Sequence, residues 1–321
     1  MNPGHPGPLQ PGTQHPGTGP GAAPGPDLGG RRRYRHHRPP GTLLLVAHGS
    51  RDPRHAATVT DLAARVRALR PGLPVEVGYL DHCAPRISQV LARLDATPPH
   101  SARNPRNAAE HDVQHDAAQH AAGSSARHTA EVVALPLLLN RAFHARSDIP
   151  AVLAEAAAAH PALTVRQGPV LGPSPLLLDA LDRRLAEVGV RPSPRAGIVL
   201  AAAGSSDPAA NAVTRQVAAA WQRSRGWGAV EVAHASAAPP RVADAVTALR
   251  ARGLTTLAVA PYLLAPGLLP DRITAEAHAA DVDTVAAPLG ATPELAHLLL
   301  TRYDEALRAH TADLRLLTRT G

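Results

Sequence analysis

The chain has 321 residues, of which 44% are hydrophobic, and this is enough apolar material for one large core or two ordinary ones. The formal net charge is +7, but an arginine cluster in the first 40 residues supplies +4 of it, and the remaining +3 predicts no specific nucleic-acid partner. All 33 basic residues are arginine, which argues against P-loop nucleotide enzymes and pyridoxal phosphate enzymes because both depend on a lysine.

Two features of the sequence indicate the cellular compartment of the protein. Its apolar stretches are broken by charge or proline before they reach the roughly 18 residues that a membrane-spanning helix needs, and the amino-terminal segment lacks the apolar core of a secretory signal. Cys83 is the single cysteine and cannot form an internal disulfide, as is usual in a reducing compartment. We therefore expect a cytoplasmic protein with no membrane partner.

Two segments are predicted to be disordered. Residues 1–40 are rich in proline and glycine and contain the basic run RRRYRHHR, whereas residues 97–128 are rich in histidine and have no apolar period. Segments with so few large apolar side chains cannot offset the entropy lost on ordering. We interpret the first as a solvated tail and the second as an inserted surface loop; a weak metal-gathering role for the loop histidines is the alternative.

Short apolar runs alternate with amphipathic segments along the rest of the chain. The runs predict strands at 42–47, 75–80, 131–136 and 163–168 and, after a restart, at 197–202, 229–234, 255–260 and 283–288. Helices are predicted near 57–69, 85–94, 150–159 and 174–187, with further helices in the second series. This order predicts two tandem doubly wound, flavodoxin-like α/β domains with parallel sheets, over 41–192 and 193–321.

The restart is an internal repeat. HGSRDP at 48–53 aligns with AGSSDP at 203–208 at an offset of 155 residues. Further along, PLLL at 136–139 aligns with PYLL at 261–264 at an offset of only 125 residues. The difference is close to the length of 97–128, which identifies that segment as an insertion into the first of two duplicated halves.

Two histidines follow predicted strands of the first half. His48 comes directly after the first strand, and His144 lies just beyond the third, in PLLLNRAFHARSDIP. Because the carboxyl ends of parallel strands meet at one edge of a sheet, we expect both to reach one cleft, as a metal site or a proton-transfer pair. Their counterparts Ala203 and Leu269 carry no imidazole, so the first half is expected to carry the chemistry.

The motifs LLLVAHGSRDP, LPLLLNRAFHARSDIP and APYLLAPGLLPDRI resemble the sirohydrochlorin chelatases, class II chelatases of sirohaem and cobalamin biosynthesis. The resemblance covers nearly all of 41–310. It implies a lyase that inserts Co²⁺ or Fe²⁺ into a sirohydrochlorin-like tetrapyrrole without a nucleotide, the divalent metal ion being a substrate. His48 and His144 match the family's metal-binding and catalytic histidines.

Such a substrate carries several carboxylates, so guanidinium groups are expected around the site. The candidates flank the two histidines in sequence: Arg51, Arg54, Arg141 and Arg146. Ser50 offers a hydroxyl or a backbone N–H to a carboxylate, and Asp148 either orients an imidazole or caps the helix that follows it.

Two other functions use the same residues. A histidine phosphatase would use His48 as a nucleophile, although those enzymes place an arginine directly before that histidine and this chain has Ala47. A non-catalytic carrier of tetrapyrrole or metal would need the same ligands as the chelatase. The sequence also does not determine which metal ion is used, because imidazole binds several divalent ions. Two fused halves are compatible with a site built within a monomer.

Overall fold

A computed structural model describes residues 41–96, 130–140 and 148–317, with side chains as far as residue 309. The predictions of a disordered tail and a disordered insertion lie outside these ranges. The described residues belong to one compact unit. None of the helices in these ranges combines the length and the apolar composition needed to cross a membrane.

The first sheet has four parallel strands in the order β2-β1-β3-β4. The strands are β1 (Thr42–Ala47), β2 (Val75–Tyr79), β3 (Ala130–Pro136) and β4 (Leu163–Gln167). The helices of this half are α1 (Pro53–Leu69), α2 (Ile87–Ala96), α3 (Asp148–Ala158) and α4 (Pro175–Glu187). All four predicted strands and all four predicted helices of the first half are confirmed, with ends that shift by a few residues.

The second sheet has three parallel strands in the order β6-β5-β7, among the residues that the structure describes. The strands are β5 (Ala196–Ala202), β6 (Ala229–His234) and β7 (Thr256–Tyr262), and the helices are α5 (Pro208–Arg225), α6 (Val242–Ala251), α7 (Leu268–Ala279) and α8 (Pro293–Leu317). The prediction of a fourth strand at 283–288 was wrong, because only Val285 pairs, in a single bridge with Val259. The ladder is interrupted there because its next donors would be Pro261 and Pro288, which have no N–H, although Leu289 again donates to Leu263 at 2.9 Å.

The central strands are buried on both faces, which explains their continuous apolar runs. In β1, Leu43, Leu45 and Ala47 contribute to a core that also includes residues of the second sheet. Leu44 and Val46 point to the opposite face, into a cluster covered by α2 and α3. Alternate side chains of a strand point to opposite faces, so both sets must be apolar where helices cover both sides of the sheet. The predicted tandem parallel-sheet α/β architecture is confirmed.

The last helix of each half packs across to the other half. Helix α8 lies against α1 and β3 of the first half, while α4 lies against β7 of the second. Arg70 at the end of α1 binds the carboxylate of Asp304 on α8 through two hydrogen bonds of 2.6 and 2.8 Å. The hydroxyl of Tyr303 donates to the backbone oxygen of Gly41, at the start of the first sheet. The two halves therefore share one core rather than meeting at a polar interface.

The turn after the first strand of each half is built in the same way. Asp52 caps α1 by accepting the N–H of Arg54 at 2.9 Å, and Asp207 caps α5 by accepting the N–H of Ala209 at 2.8 Å. A proline follows each cap at the first helical position, where a missing N–H costs nothing. The Asp-Pro pair thus starts a helix directly beyond the carboxyl edge of each sheet.

Candidate active site

A cleft of about 550 Å³ opens where the carboxyl ends of β1, β3, β5 and β7 face one another. Its walls are mostly leucine, alanine, glycine and proline, contributed by both halves. The polar side chains that line it are His48, Ser50, His55, Thr58, Asn140, Ser205, Asn211, Thr214 and Tyr262. An apolar cleft with a few polar groups suits a ligand that has large apolar faces.

The turn between β1 and α1 presents His48 with an exposed side chain. The backbone oxygen of His48 accepts the N–H of Asp81 at 2.8 Å, and the hydroxyl of Ser50 accepts the N–H of Asp52 at 3.1 Å. Gly49 has a φ of +93°, and a Cβ at this position would lie 1.8 Å from the backbone oxygen of Asp81. Only glycine fits at this position of the turn, so the placement of His48 depends on Gly49.

The second half repeats this turn without the imidazole. Ala203 takes the place of His48, and its backbone oxygen accepts the N–H of Ser236 at 2.9 Å. The hydroxyl of Ser205 accepts the N–H of Asp207 at 3.1 Å, and Gly204 has a φ of +83°. Both halves therefore share the same turn backbone, while the chemistry of its side chains differs between them.

Two polar residues that the sequence interpretation did not single out lie beside His48. The ring of His82 is 6.4 Å from that of His48, centroid to centroid, in an edge-on arrangement. Asp81 accepts the backbone N–H of His82 at 2.8 Å and pairs with Arg86 at 2.9 Å, and these two contacts lower the pKa of its carboxyl. Asp81 is therefore an anion at neutral pH. Both residues come shortly after Tyr79, the last residue of β2. Their position at the same sheet edge as His48 could have identified them from the sequence.

A third residue that the sequence interpretation missed is His55, in the first turn of α1. It lines the cleft together with Val59 and Leu62 of the same helix. Burial, followed by the proximity of His48, lowers the pKa of His55, so its imidazole is neutral at pH 7. The ring also lies 6.5 Å from that of Tyr79, centroid to centroid. The sequence did contain a signal for this position: His55 is four and seven residues before Val59 and Leu62, so the three side chains lie on one face of the helix.

The predicted carboxylate-binding residues of the first turn differ in their surroundings. Arg54 contacts Asp52 and also reaches across to Asp271 at the start of α7, where the shortest N–O distance is 2.6 Å. These two hydrogen-bonded carboxylates raise the pKa of Arg54. Arg51 is exposed and does not line the cleft. Ser50 lines the cleft, and its hydroxyl remains able to donate because its contact with Asp52 uses the oxygen as an acceptor.

The other predicted site residues, His144, Arg141 and Arg146, lie outside the described residues. Their roles and the convergence of His144 on His48 therefore stay predictions. The segment that leads toward them is described: residues 137–140 follow β3 and all line the cleft. Within the described ranges, no group of three or more histidine, cysteine or acidic side chains is arranged to hold a metal ion. Asp148 lies in the first turn of α3.

Comparison with known proteins identifies the family to which the chain is similar. The CbiX family model matches residues 42–101, 111–188 and 197–306. The chain is 28% identical over 172 residues to a sirohydrochlorin ferrochelatase of Priestia megaterium, which covers 52% of this chain and 65% of the relative. It is 25% identical over 235 residues to a sirohydrochlorin cobaltochelatase of the same species, covering 72% of this chain and 67% of the relative. The chain thus spans about two thirds of the length of these curated relatives.

Solved structures with a similar fold include two SirB proteins. The structure of SirB from Bacillus subtilis with Fe³⁺ has a TM-score of 0.66 at 22% identity and covers 84% of this chain and 97% of that chain. The sirohydrochlorin chelatase SirB of Bacillus subtilis subspecies spizizenii, in complex with cobalt, has a TM-score of 0.62 at 20% identity, covering 83% and 94%. At these identities the likeness concerns the fold of the chain.

Proposed function

We propose that this chain, which belongs to the CbiX family of sirohydrochlorin chelatases, inserts a divalent metal ion into sirohydrochlorin. The observation that carries this proposal is the apolar cleft between the two halves, with the exposed His48 on its wall. A tetrapyrrole has two apolar faces and a polar rim, and this cleft offers apolar walls with polar groups near one sheet edge. The family relationship supports the reaction class, and the cleft supports a ligand with large apolar faces.

The chemistry requires a group that holds the metal ion and a group that takes protons. A square tetrapyrrole loses two pyrrole N–H protons as the metal ion enters, and neutral imidazole serves either purpose. We assign His48 and His144 to this site, without dividing the two roles between them. The backbone N–H of Asp81 donates to the oxygen of His48, while its carboxylate is paired with Arg86 at 2.9 Å, so this ion pair adds no net charge beside His48. No nucleotide takes part in this proposal.

The metal substrate is proposed to be Co²⁺ or Fe²⁺. The relatives include a ferrochelatase and cobaltochelatases, so their names do not select one metal for this chain. Imidazole ligands accept both ions, and the availability of each metal in the cell contributes to the choice. A cobalt substrate would place the reaction in cobalamin biosynthesis, and iron would place it in sirohaem biosynthesis. We propose that the reaction occurs in the cytoplasm.

The direct test follows the visible absorption of anaerobic sirohydrochlorin with Co²⁺ or Fe²⁺, using the wild type and His144→Ala side by side. We expect a rapid metal-dependent spectral change with the wild type and a slow one with the variant. A wild type that accelerates insertion of neither metal would contradict the proposal. Tight metal binding without acceleration would identify a carrier instead, and hydrolysis of a chromogenic phosphate ester that His48→Ala abolishes would identify a phosphatase.

The contact between Arg54 and Asp271 yields a separate prediction for substrate binding. If Arg54 binds a substrate carboxylate, the substrate must compete with Asp271, which holds the guanidinium from the opposite half. Asp271→Asn removes this competitor and is expected to tighten binding of metal-free sirohydrochlorin by roughly two- to fivefold, the scale of one solvent-exposed ion pair. Arg54→Ala is expected to weaken binding by a similar factor, as measured by a fluorescence or absorption titration.

A matched control for this prediction is Glu294→Gln. Glu294 forms a similar pair with Arg183 at 2.6 Å. This pair joins α4 and α8, neither of which lines the cleft, whereas the pair of Arg54 and Asp271 joins α1 and α7, which both do. The replacement should therefore leave the dissociation constant unchanged. Both arginines are solvent-exposed, so thermal stability should change little in any of these variants. Weaker binding by Asp271→Asn would contradict the competition and would show that the pair itself shapes the cleft.

A further inference from the structure

His55 occupies a position on α1 where an apolar residue is expected. It lies four and seven residues before Val59 and Leu62, so all three side chains share the face of the helix that lines the cleft. At the repeat offset, the second half has Ala210 in the corresponding place, and Ala210 also lines the cleft. The cleft therefore carries an imidazole on one wall and a methyl group on the opposite wall.

The Nδ1 atom of His55 has no hydrogen-bond partner among the residues that the structure describes. It is also buried, and an unpaired buried polar atom is uncommon and calls for an explanation. Three groups with charge or a titratable proton face the ring: His48 from the β1–α1 turn, Asp52 from the helix cap and Tyr79 from β2. Burial and His48 favour the neutral imidazole and outweigh Asp52, whose carboxylate favours the charged form.

A neutral imidazole on the wall of the cleft is suited to one step of the proposed reaction. When the metal ion enters the macrocycle, two pyrrole N–H bonds break, and each electron pair forms a nitrogen–metal bond. The two protons need an acceptor that the metal ion does not occupy. An imidazole that binds the metal cannot take them at the same time, because its lone pair is already used.

We propose that His55 accepts the pyrrole protons, so that His48 keeps its imidazole for the metal ion. The inference rests on the proposed function and names a further residue for it. Each proton moves from a pyrrole nitrogen to the unprotonated ring nitrogen of His55, directly or through one water molecule, and passes from there to solvent before the next transfer. His55 returns to its neutral form after each transfer, and no oxidant or reductant is consumed.

The test compares the wild type with His55→Gln and His55→Asn, since both amides keep a polar side chain but cannot accept a proton at the pH of the reaction. We expect kcat for Co²⁺ insertion to fall about 100-fold in both, the scale of general base catalysis, with KM for sirohydrochlorin changed less than about threefold. The remote control is His278→Gln, an exposed position on α7, which should behave as the wild type. Thermal melting checks that each variant is folded.

The pH profile separates a proton acceptor from a residue that only packs. The kcat of the wild type should fall as the pH is lowered through the pKa of His55, because the imidazolium cannot take a proton. In both amide variants the acid limb should differ from that of the wild type, because only the metal-binding imidazole can then contribute to it. An unchanged kcat, a loss confined to KM, or an acid limb in the variants identical to that of the wild type would overturn the proposal.

A second readout distinguishes failure of this inference from failure of the proposed function. Metal-free sirohydrochlorin is titrated into the wild type labelled with ¹⁵N-histidine, and the ring nitrogen signals of His55, assigned with His55→Gln, should shift on binding. If they do not shift although the wild type inserts metal, the inference fails and the chelatase function stands. If the wild type inserts neither Co²⁺ nor Fe²⁺, the chelatase function fails and the inference fails with it.

Discussion

Replacement of His48 by alanine is expected to lower the rate of metal insertion into sirohydrochlorin about 10³-fold, within the range of proton-transfer and ligand effects. The imidazole lines the cleft at the carboxyl edge of β1, and the second half offers only Ala203 at the equivalent place. The duplicated turn therefore has no imidazole that can substitute for it. The loss should appear with Co²⁺ and with Fe²⁺ alike, because both depend on the same ligand.

This prediction is measured as the initial rate of the absorbance change under anaerobic conditions. Because the side chain of His48 is exposed, its removal should leave the free energy of unfolding within about 0.5 kcal/mol of the wild type. His278→Ala, which removes an exposed imidazole from the surface of α7, serves as the matched control. A His48→Ala variant that retains the rate within tenfold would mean that the reacting centre lies elsewhere in the cleft.

Gly49→Ala is expected to lower the free energy of unfolding by about 3 kcal/mol and to abolish most of the activity. An alanine at a φ of +93° costs about 1–2 kcal/mol by itself. Its Cβ would also collide with the backbone oxygen of Asp81 at 1.8 Å, so the hydrogen bond between Asp81 and His48 must break, at about 1 kcal/mol. The turn that carries His48 would then be displaced from the loop that follows β2.

Gly72→Ala provides the control that isolates the collision. Gly72 has a φ of +87°, but an added Cβ would meet no atom within 4 Å, so only the backbone strain of about 1–2 kcal/mol applies. Urea unfolding of the wild type and the two variants measures how much each substitution lowers the free energy of unfolding. An equal decrease in the free energy of unfolding for the two variants would show that the turn adapts to the added methyl group. The position of His48 would then not depend on Gly49.

Much of the fold could be predicted because apolar patterns report local structure and burial. The runs that became β1, β3 and β5 are apolar without alternation, which is the pattern of strands covered on both faces. The Asp-Pro pairs mark the starts of α1 and α5 through capping. The predicted strand at 283–288 failed because an apolar run does not show whether its backbone finds a partner, and here only one residue does.

The candidate site was predicted only in part, because a motif draws attention to residues next to it in sequence. His48 and Ser50 belong to such a motif, and both line the cleft. His55 and His82 also carry imidazoles but stand outside the motif, so the weaker signals of helix face and strand end were passed over, and the burial of one and the ring contact of the other identified them. Arg54 was proposed from sequence proximity alone, and its pairing with Asp271, 217 positions away, is a tertiary contact.

The sequence by itself determined the repeated strand–turn–helix units and the placement of one histidine at the end of β1, because these follow from local backbone preferences and from burial periodicity. The tertiary structure alone decided how the two halves join. Helices α4 and α8 each pack on the opposite half, and the cleft takes its walls from the carboxyl edges of both sheets and the segments that follow them. Such contacts depend on the fit of distant surfaces, which no local pattern of residues encodes.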